Sequence, residues 1–106
     1  MPKYLFQVNY VDEGVKGLLK DGGSKRRAVV EKLFMSMGAT IEAFYYAFGE
    51  TDLFIIGDFP DNVTVTATVL NVVSTGMVTV KTTVLLTADE VDEAVKKTPT
   101  YTPPGK

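Results

Sequence analysis

Lys81 is the residue in this sequence with the sharpest chemical promise. It lies in "MVTVKTTVLLT", flanked by Val80 and the pair Thr82-Thr83, in a run of β formers. A lysine taken out of water in mid-strand costs several kcal/mol unless an acid pairs with it. Glu42, Asp52 and Asp58 are the acids whose strand parity puts them on its face. A cation held there can anchor an anionic molecule or stabilise an enolate. Asp52 and Tyr46 are the weak candidates for the base in such chemistry, with Lys81 as their partner. Gln7, Asn9 and Thr83 share the same parity and can orient a carbonyl group. Each has a plainer reading. Lys81 can be half of a structural ion pair, Tyr46 an aromatic wall, and Gln7 and Asn9 can satisfy each other.

Asp52 and Asp58 bracket the apolar run "LFII" in "FGETDLFIIGDFPD". Six residues apart on one strand, their Cα atoms lie about 20 Å apart. Two carboxylates that share a reacting centre stand roughly 5–10 Å apart. Within one chain they are therefore separate acids. Asp58, next to Pro60-Asp61, reads most simply as a strand-end or capping residue. For Asp52 the plain reading is a hydrogen bond that fixes the preceding loop.

The absences narrow the chemistry. There is no cysteine, which excludes disulfides and thiolate sites. There is no histidine, which removes the usual general base, zinc ligand and proximal haem ligand. No metal and no cofactor is expected. A net charge of −2 offers no field for nucleic acid or an acidic membrane. The one basic cluster, Lys25-Arg26-Arg27, begins a helix, where an anion can bind; its plain reading is a solvated surface. The start "MPKYLFQVNY" has no basic-then-apolar leader, and no apolar run reaches about 18 residues. The expectation is a cytoplasmic protein without a membrane span.

These residues need elements to hold them. "KYLFQVNYV" alternates and reads as a strand. "DEGVKGLLK" is a short helix beginning at Asp12. After the break at residues 21–23, Ser24 is the expected N-cap of a longer helix. Val30, Leu33, Phe34 and Met37 give that helix its stripe, and Gly38 ends it. "TIEAFYYAF" and "DLFIIGDF" form a hairpin across Gly49-Glu50-Thr51. "PDNVTVTATVLNVVST" is rich in β formers. Pro60-Asp61 nevertheless suits a helix start, and Val65, Val69, Val72 and Val73 form a helical stripe. A crossover is required there if the fourth strand is to lie beside the first, so a helix is predicted. "MVTVKTTVLLT" is the fourth strand and "ADEVDEAVKK" a short amphipathic helix. The order is ferredoxin-like βαββαβ, an α+β fold with helices on one face of a four-stranded antiparallel sheet. Residues 1–97 make one domain, and 98–106 a flexible proline-rich tail.

Alternation then sorts the strand residues. Tyr4, Phe6, Val8, Ile41, Ala43, Tyr45, Leu53, Ile55, Val78, Val80, Thr82 and Val84 are assigned to the helix-covered core. The other face mixes Phe44, Phe54, Ile56 and Leu85 with Gln7, Asn9, Tyr46, Asp52, Asp58, Lys81 and Thr83. It is too apolar for water and too polar for a dry core. A homodimer or higher homo-oligomer formed sheet to sheet, enclosing a partly polar cavity, reconciles the two.

"GETD", an apolar strand and "GDFPD" resemble the GYD-domain family of small proteins, with the likeness running from Tyr4 to about Val95. Gly14, Arg27, Gly38, Phe44-Tyr45, Gly76 and Thr82-Thr83 fit its pattern. Where the family carries Gly-x-Tyr-Asp, this chain has Gly49-Glu50-Thr51-Asp52, so Thr51 stands in place of the tyrosine. The resemblance implies a dimeric α/β barrel and brings no established activity with it. The leading expectation is a small homo-oligomeric protein that binds an anionic or carbonyl-bearing molecule in the barrel cavity. A cofactor-free isomerase or monooxygenase is the first alternative. A structural or interaction protein, with the tail "TPTYTPPGK" docking a partner, is the second.

Overall fold

A computed structural model describes residues Met1–Lys106. The elements run β1 (Lys3–Tyr10), α1 (Asp12–Asp21), α2 (Gly23–Ser36), β2 (Thr40–Tyr46), β3 (Leu53–Asp58), α3 (Asn62–Val73), β4 (Val78–Leu85) and α4 (Ala88–Val95). The sheet order is β2-β3-β1-β4 and every neighbouring pair is antiparallel. This is the expected α+β ferredoxin-like arrangement. The segment after Pro60 is helical despite its β-forming residues, because Asp61 caps it. The Asp61 side chain accepts from the backbone N–H of Thr64 at 2.8 Å and from the Thr64 hydroxyl at 2.7 Å. Those bonds hold the Asp61 carboxyl below its ordinary pKa.

One helix boundary differs from expectation in detail. α2 is capped by Gly22 and starts at Gly23, one residue ahead of the expected cap Ser24. Gly22 takes φ 81°, so the chain bends sharply there and α2 follows α1 almost without a loop. The far end of α2 is as expected, with Gly38 at φ 70° just beyond it.

The core lies between the sheet and α2 and α3, and it is aromatic at one end. Tyr4, Phe6, Phe34 and Phe59 pack as a cluster, the closest pair being Phe34 and Phe59 with centroids 4.9 Å apart. Phe59 is fully buried although it lies just past β3. The Tyr4 hydroxyl donates to Asn62 Oδ1, so its burial leaves no orphaned polar atom and ties α3 to β1.

The expected faces hold for β1 and β3 and for the Val78–Val80 end of β4; Thr82 and Val84, expected in the core, share the inward parity but are exposed at the edge of the sheet, and β2 departs altogether. Glu42 is an extra residue: Ile41 pairs with Gly57 and Ala43 with Ile56. This β-bulge shifts the parity of everything after it. Phe44 and Tyr46 therefore turn to the helix side, and Tyr45 and Ala43 to the open face, the reverse of the alternation read from residue 40 onward. Glu42 itself reaches Lys3, whose ammonium lies 3.0 Å from Glu42 Oε1 and 3.0 Å from Asp58 Oδ1.

Candidate functional site

The residues singled out from sequence fall into three places. Gln7, Asn9, Lys81 and Thr83 lie on the open face of β1 and β4, where Gln7 pairs with Lys81 and Asn9 with Thr79. Tyr46 is on the opposite side of the sheet, because of the bulge at Glu42. Its hydroxyl donates to the Gly23 carbonyl at 3.0 Å, where α2 begins. Lys81 and Tyr46 therefore do not converge on one reacting centre. Asp52 sits at the loop between β2 and β3 and serves the backbone. Its carboxylate accepts from the Tyr10 N–H at 2.9 Å, and its own N–H donates to Asn9 Oδ1 at 2.9 Å. Its carbonyl accepts from Ala47 N–H at 2.8 Å. Asp52 and Asn9 thus stitch the loop to the end of β1, the plainer of the two readings given above.

Other polar groups of the open face are engaged too. Gln7 Nε2 donates to the Thr51 hydroxyl at 3.3 Å, and Thr51 is buried. Thr51 thus anchors the loop to β1. Lys3 holds Glu42 and Asp58, and Asp52 accepts from the Tyr10 N–H, so none of the three acids expected beside Lys81 pairs with it. Lys81 is exposed and makes no ion pair within its own chain.

A different concavity lies on the helix side. Between α2 and α3, above β1, β3 and β4, is a cleft of about 440 Å³, within the range of small-molecule sites. Fourteen of its seventeen lining residues are hydrophobic, so any occupant must be mostly apolar. The cleft exists because the aromatic half of the core stops at Phe34. Beyond it, α2 offers Val29 and Val30 and α3 offers Val69 and Val72. These short branched side chains do not span the gap between two helices seated on one sheet.

Three polar side chains and the hydroxyl of Tyr10 touch this cleft. Thr68 and Thr75 are already committed, donating to the carbonyls of Thr64 and Val72 at 2.9 Å and 2.8 Å. Arg26 and Tyr10 are freer. Arg26 is half-buried, and its guanidinium lies 3.8 Å from Asp21. Tyr10 is also half-buried. Burial, chiefly, and then the neighbouring Tyr46 push its phenol up to about 12, against a smaller lowering by nearby Arg26. Tyr10 is thus a neutral O–H donor at any ordinary pH. The cleft brings together one cation and one phenol over an apolar floor, and no carboxylate lines it. Such a set has the chemistry to hold an oxygen-bearing group and supplies no carboxylate base.

The sequence carried signals for both residues. Arg26 precedes Val30 by four and Leu33 by seven, which puts it on the core-facing stripe of α2. Tyr10 continues the inward parity of Tyr4, Phe6 and Val8. Both were hidden by neighbours of another character: Arg26 by the basic cluster, Tyr10 by the end of its strand.

No helix is long and apolar enough to cross a membrane. No curated protein and no solved structure matches the chain. The family model of the GYD domain matches residues 4–95, which takes in every element from β1 to α4. This chain belongs to the GYD domain family.

Proposed function

We propose that this GYD-domain protein binds a small molecule with an apolar body and a single anionic or carbonyl group, held in the cleft between α2 and α3. The observation that carries the reading is the pairing of Arg26 with a neutral Tyr10 on an otherwise apolar cleft. A carboxylate or carbonyl oxygen facing Arg26 and Tyr10 gains charge-assisted hydrogen bonds. Its hydrocarbon part displaces water from the valine-rich walls, worth roughly 0.8 kcal/mol per buried methylene. The ligand chemistry is that expected from the sequence. Its place moves from the open sheet face, where Gln7, Asn9 and Asp52 are committed to the protein itself, to the helix side. An isomerase or monooxygenase draws less support, since Asp52 is tied to the backbone and Tyr46 and Lys81 lie on opposite faces.

Calorimetric titration with decanoate and decanol tests this. Decanoate is expected to bind saturably at one site per chain. Arg26→Met should weaken decanoate by roughly tenfold or more, the worth of a charged hydrogen bond, and leave decanol nearly unchanged. Absence of saturable binding by either compound would overturn the reading. Equal binding of both, indifferent to Arg26→Met, would remove the assigned head-group chemistry.

A further inference from the structure

On the reading that the cleft between α2 and α3 is the binding site, we propose that Asp21 selects its occupant: a neutral carbonyl compound with an apolar body, in preference to the corresponding carboxylate. The first observation is the join of α1 to α2. Asp21 is the last residue of α1, and Gly22, at φ 81° and ψ 164°, turns the chain straight into α2 at Gly23. That backbone region is open to glycine and to almost nothing else. The Asp21 carboxylate is thereby folded back over the first turns of α2. It lies 3.8 Å from Lys25 Nζ and 3.8 Å from the Arg26 guanidinium. An acid at the end of α1 faces the negative pole of that helix, so it is the cations of α2 that hold it there.

The second observation is how those charges are covered. The Lys25 side chain is 70% exposed, and water meets its charge. The Arg26 side chain is 36% exposed and lines the cleft, and that of Asp21 is the most covered of the three at 24%. Asp21 is the one acid within ion-pair distance of Arg26; the next cation, Arg27, is held by Glu31 at 3.0 Å. The charge of Arg26 is therefore balanced before any ligand arrives. Its hydrogen-bonding capacity is not. At 3.8 Å its contact with Asp21 is electrostatic and too long for a hydrogen bond. The guanidinium keeps its fork of N–H donors for a ligand.

A donor with its charge already matched sorts ligands by charge. A carbonyl oxygen accepts from Arg26 and from the neutral phenol of Tyr10 and adds no charge to the site. A carboxylate accepts the same bonds but sets a second anion beside Asp21, in a place partly closed to water, where like charges disfavour each other. Two carboxylates about 6 Å apart across one guanidinium repel, at an effective dielectric of about 20–80, by an amount worth roughly three- to a hundredfold in affinity. The lining acts in the same direction. Fourteen of its seventeen residues are hydrophobic, and a carboxylate gives up more hydration than a ketone on entering such a space.

The test is calorimetric titration of the full chain with 2-decanone and with decanoate, in the wild type and in Asp21→Asn. The wild type is expected to bind 2-decanone about threefold or more tightly than decanoate. Asp21→Asn should strengthen decanoate by about tenfold and leave 2-decanone within about twofold, so that the order of the two reverses. Asp92→Asn makes the same change of charge on the exposed α4 and should move neither. Asp21→Glu keeps the charge and should keep the wild-type order. A wild type that prefers decanoate would overturn the proposal, as would an Asp21→Asn chain with the wild-type ratio. Loss of both ligands together in Asp21→Asn, with both retained in Asp21→Glu, would make Asp21 a structural residue and overturn it too. Saturable binding of neither compound by the wild type would instead remove the cleft as the binding site.

Discussion

Tyr10 joins the loop, the sheet and the cleft in one residue. Its N–H donates to Asp52, its ring lines the cleft, and its phenol stands beside Tyr46 and Arg26. The raised phenol pKa has a consequence for stability. In the unfolded chain the phenol ionises near 10.0, while in the fold it holds its proton to about 12. Between those values the unfolded state binds fewer protons, so stability falls as pH rises. Lys3 acts in the same direction. Its pKa is raised by hydrogen bonds to Glu42 and then Asp58, and that stabilisation is present below 10.5 and lost as pH climbs through the higher folded value. Urea midpoints measured from pH 9 to 12 should therefore fall for the wild type and fall less for Tyr10→Phe. An equal fall in both would show that the phenol is not buried as described.

At the scale of elements, close approach decides more than propensity. α1 starts beside the loop before β4, where Val11 N–H donates to the Met77 carbonyl at 3.0 Å. Gly14 faces that same carbonyl, and a Cβ on residue 14 would lie 2.1 Å from the Met77 oxygen. Backbone on both sides leaves nothing to rotate away. Gly14→Ala is expected to cost about 1–3 kcal/mol in urea unfolding, the usual toll of overpacking, despite alanine's better helix propensity. Gly17, also in α1, has nothing within 4 Å of its would-be Cβ, so Gly17→Ala should be neutral to slightly stabilising and serves as the control.

The same scale shows how much was legible beforehand. The order of strands and helices was, because alternation, caps and the crossover requirement agreed with one another. α3 shows topology and the Asp61 cap prevailing over a run of valines and threonines. The inward faces of β1 and β3, and of β4 as far as Val80, followed from parity. β2 did not, since a single extra residue at Glu42 inverts the parity of Phe44, Tyr45 and Tyr46, and nothing in "TIEAFYY" marks the bulge. The candidate site was less legible. A cleft is the space that side chains fail to fill, and a strand pattern records only the side chains that are present.

Over the whole molecule, packing is uneven. One end of the core is a close aromatic cluster, and the other is bounded by valines on two helices that do not meet across the gap. Filling that end should stabilise the fold at the expense of binding. Val72→Phe, on the cleft wall of α3, is expected to add about 0.5–2 kcal/mol in thermal or urea unfolding and to abolish decanoate binding. A variant more stable than the wild type that still binds decanoate would place the occupant elsewhere.

The bulge at Glu42 also bears on how this chain can change length. β2 carries one residue more than its ladder with β3 requires. Removing Glu42 would leave Ile41 opposite Gly57, Ala43 opposite Ile56 and Phe44 opposite Ile55, a regular ladder with every remaining side chain on its present face. The loss would be the link to Lys3 and the local bend. Removing Phe54 or Gln7 instead would send every residue on one side of the gap to the wrong face. The sheet thus holds a built-in slack of one residue, and it is at this corner that a one-residue deletion can pass through the fold without disturbing the core.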